Sequence, residues 1–295
     1  MIAVMTKPET TNNTLGQLLA HVRLELRQAE IDSAELDARL LVQHFTGASL
    51  TDFVIRSDTE VAPDVTEQVL GAMQRRLAGE PVHRIIGERE FYGLSFKLNA
   101  DTLEPRPDTE ALIGLVLPFL EQRSSEKGFV DLLDMGTGTG AIAITLLHEI
   151  KTVRGVAVDI AEGALQAARI NAKLAGVSSR LAVLKSDWFG AVRGKYDLIV
   201  SNPPYIPAKT VLELDKEVKD YDPRRALDGG EDGLNFYRAL AKHSGAYLHD
   251  NAIVAVEIGA GQADDTEAIF AQYSFRLTSV AEDLAGHKRA LSFQR

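Results

Sequence analysis

The sequence contains no cysteine, and this absence limits the chemistry of the protein before any motif is considered. Without thiols the chain forms no disulfide and offers no thiolate ligand to zinc or to an iron–sulfur cluster. No uninterrupted apolar run approaches the length that spans a bilayer, and the N-terminal segment lacks the basic start and apolar core of a signal peptide. We therefore expect a cytoplasmic protein without a membrane partner.

Positive charge is also scarce, because 42 acidic residues against 32 lysines and arginines give a net charge of −10. A nucleic-acid binder needs a basic face for phosphates, so no direct nucleic-acid partner is expected, although a local basic patch is compatible with this balance. The seven histidines show no metal-ligand spacing, and no metal is predicted. The length of 295 residues suffices for one large domain and a smaller one, and the oligomeric state stays open.

The first part of the chain has the periodicity of helices. Three stretches between residues 14 and 79 carry apolar residues at helical spacing, and Thr14 with Gln17 suits a capping box before the first. In the second stretch the apolar face is predicted to hold Leu36, Leu40, Leu41 and Phe45. We assign residues 1–88 to a small helical bundle. Such a bundle serves either as a stable cap or as a recognition domain for a macromolecular substrate, and its sequence favours neither.

The pattern changes near residue 90. The segment EFYGLSFKLN roughly alternates and has a central glycine, which predicts a short β-hairpin within a linker over residues 89–108. Two prolines then delay the next helix until near Thr109. From Phe129 strands and helices alternate, so residues 109–295 are predicted to form an α/β domain with a parallel, doubly wound sheet covered by helices. Ligands of such sheets bind beyond the C-terminal ends of the strands.

A glycine-rich loop follows the first strand of this domain and leads into a helix. Glycines allow a sharp turn and bring a ligand against bare N–H groups at the helix start. The loop consists of Gly136, Thr137, Gly138, Thr139 and Gly140. The next strand ends in Asp159, where a carboxylate can hold ribose hydroxyls. The combination predicts an adenosine-containing cofactor. NAD is the rival, although the third spaced glycine of the pyrophosphate fingerprint is missing.

The third strand ends in Asp187 and Trp188. An adenine ring could rest against the apolar face of the indole or meet the acid as a hydrogen-bond partner, so both residues are predicted to bind the cofactor. The alternative for Trp188 is a rim residue that packs against the helix layer.

The fourth strand ends in Asn202, Pro203, Pro204 and Tyr205, the most specific short motif of the chain. An amide or aromatic-amine nitrogen is a poor nucleophile, because its lone pair is delocalised. The side-chain oxygen of Asn202 and the carbonyl of Pro203 offer two acceptors for the two hydrogens of such an NH2 group. The prolines fix these acceptors in place, and Tyr205 can lie against the flat face of the acceptor group. Positioning of this kind suits methyl transfer to a planar nitrogen.

This motif, together with the glycine loop, resembles the amino-methyltransferases. Further segments, among them EPVHRIIGEREFYGLSF, SDWF, YDPRRALDGGEDGLNFYR and VEIGAGQ, resemble the bacterial peptide chain release factor glutamine methyltransferases from about Leu15 onward. The resemblance implies a seven-stranded, Rossmann-like domain that uses S-adenosylmethionine and clasps a class I release factor. The glutamine of its Gly-Gly-Gln loop would be methylated, which modulates translation termination. It also implies that Gly136 to Gly140, Asp159, Trp188 and Asn202 line the cofactor site, and that Asn202 to Tyr205 hold the glutamine.

Three residues depart from the family's usual pattern. Glu104 stands where an aliphatic residue is usual, and Asp108 and Asp222 replace glutamates. Two other functions remain to be weighed: an adenine methyltransferase acting on RNA or DNA would share the motif at Asn202, and a non-catalytic binding module would share only the fold. Intact cofactor and acceptor motifs count against a binding module, and the net charge counts mildly against nucleic acid.

Overall fold

The computed structural model describes residues 13–295, which divide into two compact units, the first ending at Ile86 and the second beginning at Gly87. Within these residues no helix combines the length and the apolar character needed to cross a bilayer. Each unit has a hydrophobic core of its own, and the second contains two clusters on the faces of a sheet.

The described part of the first unit is helical, as its periodicity predicts. Its helices are α1 (Leu15–Gln28), α2 (Ala34–Thr46), α3 (Asp52–Ile55), α4 (Pro63–Leu77) and α5 (Val82–Ile86). The predicted capping box is present at the start of α1. The N–H of Gln17 donates to the Thr14 hydroxyl at 3.3 Å, and the N–H of Thr14 donates to the Gln17 side chain at 3.0 Å. Two orphan donors of the helix start are thereby satisfied.

The predicted apolar face of α2 is wrong in part. Leu36 is 44% exposed, whereas Asp37 is buried beside the core residue Leu41. Arg76 donates through Nε to Oδ2 of Asp37 at 2.6 Å, and both side chains are almost wholly shielded from solvent. A carboxylate is stable in a core only with a partner of this kind. Apolar spacing could not reveal that a charged residue of α2 faces inward.

The second unit begins with the predicted hairpin. Strands β1 (Glu88–Phe91) and β2 (Leu94–Lys97) pair antiparallel, and Phe91 lies opposite Leu94. The turn residues Tyr92 and Gly93 both have positive φ, at 51° and 74°. Two such residues form the tight turn whose twist matches a two-residue hairpin.

A seven-stranded sheet forms the centre of the second unit. Its strands are β3 (Val130–Met135), β4 (Val153–Asp159), β5 (Leu181–Lys185), β6 (Tyr196–Ser201), β7 (Leu248–Glu257), β8 (Arg276–Glu282) and β9 (Lys288–Gln294). The helices of this unit are α6 (Glu110–Lys127), α7 (Ala141–Glu149), α8 (Glu162–Leu174), α9 (Ala208–Val211), α10 (Lys216–Lys219), α11 (Asn235–Ser244) and α12 (Ala263–Ala271). The order across the sheet is β5-β4-β3-β6-β7-β9-β8.

The predicted parallel, doubly wound arrangement is confirmed for five strands, while β9 pairs antiparallel with both β7 and β8 at one edge. A short turn connects β8 and β9, so they cannot be parallel. The chain builds outward from β3 through β4 to β5, then returns to place β6 on the other side of β3. The direction of winding therefore reverses between β3 and β6, and ligands of doubly wound sheets bind at such a point.

Candidate active site

The glycine loop and the Asn-Pro-Pro-Tyr segment lie next to each other at this reversal point. They follow β3 and β6, which pair in parallel with Asp134 opposite Val200. The Ser201 hydroxyl donates to the carbonyl of Met135 at 2.6 Å and ties the two strand ends together. The two motifs that the sequence separates by more than sixty residues therefore share one edge of the sheet.

The loop after β3 needs glycine for its backbone shape. Gly136, Gly138 and Gly140 have φ values of 71°, 56° and 83°, in the left-handed region. Gly140 is also the N-cap of α7, and a Cβ built there would lie 2.6 Å from Cδ1 of Ile144. Side chains are therefore excluded where the backbone must turn towards a ligand.

A buried carboxyl group supports this loop from below. Asp134 is fully buried and accepts a hydrogen bond from the Thr137 hydroxyl at 2.6 Å, while its Oδ1 has no partner within the described chain. Burial raises the pKa of Asp134 to about 7 against the lowering effects of the Thr137 hydroxyl and of the nearby Ala143 N–H, and the charge of Asp159 raises it further. A buried carboxyl group with a raised pKa thus lies under the loop of the predicted cofactor site.

Asp159 lies where the sequence predicts, at the end of β4. Its Oδ2 accepts a hydrogen bond from the N–H of Gly138 at 3.0 Å, and its Oδ1 accepts one from the N–H of Ala161 at 2.9 Å. The side chain is half-buried and lines a cavity. Its position suits a group that binds ribose hydroxyls.

The segment after β5 presents an aromatic surface to the same cavity. Trp188 has a positive φ of 51°, and its carbonyl accepts a hydrogen bond from the Ser186 hydroxyl at 2.7 Å. Its ring stacks on Phe236, with centroids 4.5 Å apart. Trp188 is 37% exposed and Ile160, another lining residue, is 53% exposed. Exposed apolar groups of this kind fit a flat heteroaromatic ring.

The cavity has a volume of about 300 Å³. Most of the predicted cofactor residues line it, namely Gly136, Thr137, Gly138, Thr139, Asp159, Asp187, Trp188 and Asn202. Pro204 of the predicted substrate set also lines it, whereas Gly140, Pro203 and Tyr205 do not. Sequence reasoning missed Thr109, Ile160 and Phe236. Phe236 and Thr109 lie in the segments NFYR and PDTE, whose resemblance to the family was the only available signal.

Asn202 and Tyr205 are held by buried polar groups. Nδ2 of Asn202 donates to the Thr109 hydroxyl at 3.2 Å, and the Tyr205 hydroxyl donates to Oε1 of Glu257 at 3.4 Å. Burial, with the charge of Glu257, raises the pKa of Tyr205 to about 12, so its hydroxyl keeps its proton. Oδ1 of Asn202 and the carbonyl oxygen of Pro203 accept no hydrogen bond from residues 13–295. Both oxygens therefore keep their capacity to accept hydrogen bonds, although of the two residues only Asn202 lines the cavity.

A second glycine segment supports the motif from behind. A Cβ at Gly229 would lie 2.7 Å from the carbonyl oxygen of Pro204, and one at Gly233 would lie 2.3 Å from that of Tyr205. Nε2 of Gln262 donates to the same Tyr205 oxygen at 2.9 Å. The backbone of the Asn-Pro-Pro-Tyr segment is thus fixed by close packing as well as by its prolines.

The three residues that depart from the family pattern all form ion pairs. Glu104 accepts from Arg89 at 2.8 Å, Asp222 from Arg106 at 2.9 Å, and Asp108 lies 3.2 Å from Arg289. Glu104 is 7% exposed. A cationic partner stabilises a carboxylate at a buried position that an aliphatic residue usually fills.

One group of potential metal ligands occurs in the described residues, formed by Asp131, Asp197 and His249. Arg154 already pairs with Asp131 at 2.6 Å, and Nζ of Lys127 pairs with Asp197 at 2.6 Å. Cations of the protein therefore neutralise both carboxylates. The expectation of a metal-free enzyme stays a prediction.

Comparison with protein families gives two matches. Residues 17–87 match the PrmC N-terminal domain, and residues 114–218 match the methyltransferase small domain. Among solved structures, the chain resembles the hMettl16 catalytic domain in complex with the MAT2A 3'UTR hairpin 6, with a TM-score of 0.56 and 14% identity over 78% of this chain and 81% of the other. This similarity concerns the fold alone.

Full-length relatives are much closer in sequence. A release factor glutamine methyltransferase of Agrobacterium fabrum is 45% identical over 96% of this chain and 98% of its own length. One of Bradyrhizobium diazoefficiens is 39% identical over 98% of both chains. The predicted resemblance is confirmed, and the chain belongs to the release factor glutamine methyltransferase family.

Proposed function

We propose that this protein transfers a methyl group from S-adenosylmethionine to the side-chain amide nitrogen of a release factor glutamine. One observation carries the proposal. Two oxygens at the reversal point of the sheet, Oδ1 of Asn202 and the carbonyl oxygen of Pro203, accept no hydrogen bond from the described residues. Family membership supports the same reaction, since the relatives bear the name release factor glutamine methyltransferase.

The cavity beside these acceptors fits S-adenosylmethionine. The carboxylate of Asp159 faces the place of a ribose, and the exposed side chains of Ile160 and Trp188 suit an adenine ring. The loop over residues 136–140 brings bare backbone close to the ligand. S-adenosylmethionine supplies the methyl group on a sulfonium, a leaving group that is already activated.

The protein's own residues prepare the acceptor nitrogen. Asn202 and Pro203 accept one hydrogen each from the glutamine NH2, which fixes the plane of the amide and increases the electron density on its nitrogen. Tyr205 lies at the other end of the rigid segment. No group within reach is required as a strong base, because positioning and electrostatic stabilisation supply the catalysis. The methylated nitrogen would then carry a positive charge and release one of its hydrogens as a proton to water.

The finer assignments rest on the same proposal. The substrate is the glutamine of the Gly-Gly-Gln loop of class I release factors, and its methylation modulates translation termination. Residues 1–88 serve release factor recognition, residues 89–108 are a linker, and residues 109–295 catalyse the reaction. No nucleic acid or membrane takes part. A cytoplasmic location stays a prediction.

Incubation with labelled S-adenosylmethionine tests this function. We expect label on a purified class I release factor and none on the same factor with alanine in place of the Gly-Gly-Gln glutamine. Bulk RNA and DNA serve as competing acceptors in parallel reactions. Label on nucleic acid alone would replace the proposed substrate with adenine, and absence of label on every acceptor would contradict the enzymatic proposal.

A further inference from the structure

A buried carboxyl group at the end of β7 adjoins the Asn-Pro-Pro-Tyr segment without lining the cavity. Glu257 is 1% exposed, and its Oε1 accepts from the Tyr205 hydroxyl. Its Oε2 makes no hydrogen bond of ordinary geometry within the described residues, yet the Thr109 hydroxyl is near enough to lower the pKa of the carboxyl. A buried carboxylate oxygen without a donor is unfavourable, and the Thr109 hydroxyl is a donor beside this carboxyl.

Thr109 connects this carboxyl to the asparagine of the motif. Thr109 is 4% exposed, and its hydroxyl accepts a hydrogen bond from Nδ2 of Asn202 at 3.2 Å. A hydroxyl carries a single hydrogen and can donate only once. When that hydrogen points to Glu257, Thr109 can only accept from Asn202. The amide of Asn202 must then turn its NH2 towards Thr109 and its Oδ1 towards the substrate.

We propose that Thr109 and Glu257 are positioning residues that set the orientation of the Asn202 amide through a chain of hydrogen bonds. The inference rests on the proposed function, because it assumes an NH2 group as the acceptor. The same carboxyl also accepts a hydrogen bond from the Tyr205 hydroxyl, so one buried group holds both ends of the motif. In the opposite orientation the NH2 of Asn202 would face the NH2 of the substrate, and two hydrogen-bond donors cannot bond to each other.

The surroundings of Glu257 favour the ionised form needed for this role only above neutral pH. Burial raises its pKa to about 7, the charge of Asp108 acts in the same direction, and Arg289 and the hydroxyls of Thr109 and Tyr205 act against it. The backbone carbonyl of Glu257 accepts from Tyr237 at 2.9 Å, which holds the strand end in place. A protonated carboxyl can donate, and it then no longer dictates the direction of the Thr109 hydrogen.

Substitution of Thr109 tests the chain of hydrogen bonds. Thr109→Val removes the hydroxyl at nearly constant volume, and Thr109→Ser restores it. The matched control is Thr266→Val, because the Thr266 hydroxyl is buried without a hydrogen-bond partner among the described residues. The measurements are kcat and KM for the release factor, the Kd of S-adenosylmethionine and the thermal midpoint of unfolding.

We expect Thr109→Val to lower kcat by about tenfold or more with the Kd of S-adenosylmethionine within about twofold of wild type, as for loss of an interaction made in the transition state. Thr109→Ser should regain most of kcat, and Thr266→Val should match wild type. An unchanged kcat in Thr109→Val contradicts the proposal. So does a loss of kcat that Thr109→Ser does not restore, or one that the control shares.

Glu257→Gln provides a second, independent variant. Wild-type kcat, measured at saturating substrates, should rise with pH through a limb near 7, and this limb should be absent in Glu257→Gln. Because the pKa of Asp134 is also raised to about 7, both measurements are repeated in an Asp134→Asn background, and a limb that persists there in Glu257→Gln overturns the role of Glu257. If the wild-type protein methylates nucleic acid instead of release factor, the proposed function fails. The positioning role of Thr109 and Glu257 is then tested by the ratio of variant to wild-type kcat with nucleic acid as the acceptor.

Discussion

The backbone N–H of Gly138 donates to Oδ2 of Asp159 at 3.0 Å, so the carboxylate that ends β4 holds the loop that follows β3. Its Oδ1 is held by the N–H of Ala161 at 2.9 Å. A carboxylate oxygen can accept more than one hydrogen bond, so both oxygens retain capacity for ribose hydroxyls. Asp159 therefore shapes the glycine loop and keeps oxygens able to serve the cofactor role predicted for it.

Replacement of this carboxylate should weaken cofactor binding. We expect Asp159→Ala to raise the Kd of S-adenosylmethionine by about 10- to 100-fold, because charge-assisted hydrogen bonds to the ribose hydroxyls, together worth roughly 1.4–2.8 kcal/mol, are lost. Isothermal titration calorimetry measures this constant directly. Asp264→Ala is the control, since the Asp264 side chain is 95% exposed. If Asp159→Ala and the control bind equally well, the role assigned to Asp159 is wrong.

Gly233→Ala should impair the reaction without touching the cofactor loop. The added Cβ would lie 2.3 Å from the carbonyl oxygen of Tyr205, and the backbone there has a φ of 78°. We expect the Asn-Pro-Pro-Tyr segment to shift and kcat to fall by about tenfold or more, since displacements of about 1 Å are costly in catalysis. Steady-state kinetics with the release factor measures this loss.

Gly47→Ala is the matched control for the backbone strain. Gly47 has a φ of 70° and no atom within 4 Å of an added Cβ, and it ends α2 in the first unit. The positive φ alone should cost each variant roughly 1 kcal/mol of unfolding free energy, and Gly233→Ala should lose more because of its close contact with Tyr205. Only Gly233→Ala should lose kcat, and equal activity of the two variants would show that close packing behind Tyr205 has no catalytic role.

The sequence predicted the parts of the site that stand at strand ends. In a doubly wound sheet those ends meet at one edge, so a glycine loop, an acid and an Asn-Pro-Pro-Tyr segment after successive strands must converge. Asp159 and Asn202 lie at this edge for that topological reason. The hairpin could also be predicted from the sequence, because Gly93 marks a turn whose backbone needs a positive φ.

The supporting residues could not be predicted in the same way. Thr109 and Asn202 are 93 positions apart, and Tyr205 and Glu257 are 52 apart. Nothing in the local pattern distinguishes a buried glutamate at a strand end from an exposed one, since burial follows from packing against distant elements. Asp37 illustrates the same limit in the first unit, where its buried partner Arg76 lies 39 positions away.

Asn202→Ala should separate binding from chemistry. The variant loses one of the two acceptors proposed for the glutamine NH2, while the residues that line the rest of the cavity are unchanged. We expect kcat to fall by about 100-fold or more, the size seen when a preorganised hydrogen-bonding group is removed from a reacting centre. The Kd of S-adenosylmethionine should change by no more than about threefold. Single-turnover experiments measure the rate of methyl transfer itself. A rate in Asn202→Ala equal to that of the wild-type protein would contradict the proposed role of Asn202.

Asp134 should make the stability of the protein fall as the pH rises through neutrality. Its pKa is raised from 3.8 to about 7, chiefly by burial, so between these values the folded state binds a proton that the unfolded state has lost. Stability from this group is therefore fully present below about pH 4 and is lost as the pH passes 7. Asn at this position stays neutral and lacks the dependence.

Chemical unfolding of wild-type protein and Asp134→Asn at pH 5.5 and at pH 8 tests this sign. Other groups, Glu257 among them, titrate in both proteins. At each pH, the free energy of unfolding of the wild-type protein minus that of the variant therefore reports on Asp134 alone. That difference should shift in favour of the variant by about 2 kcal/mol between the two pH values. Asp264→Asn, at an exposed position, should show no such shift. A constant difference for Asp134→Asn would mean that this carboxyl is already ionised at pH 5.5, with a cofactor loop built over a negative charge.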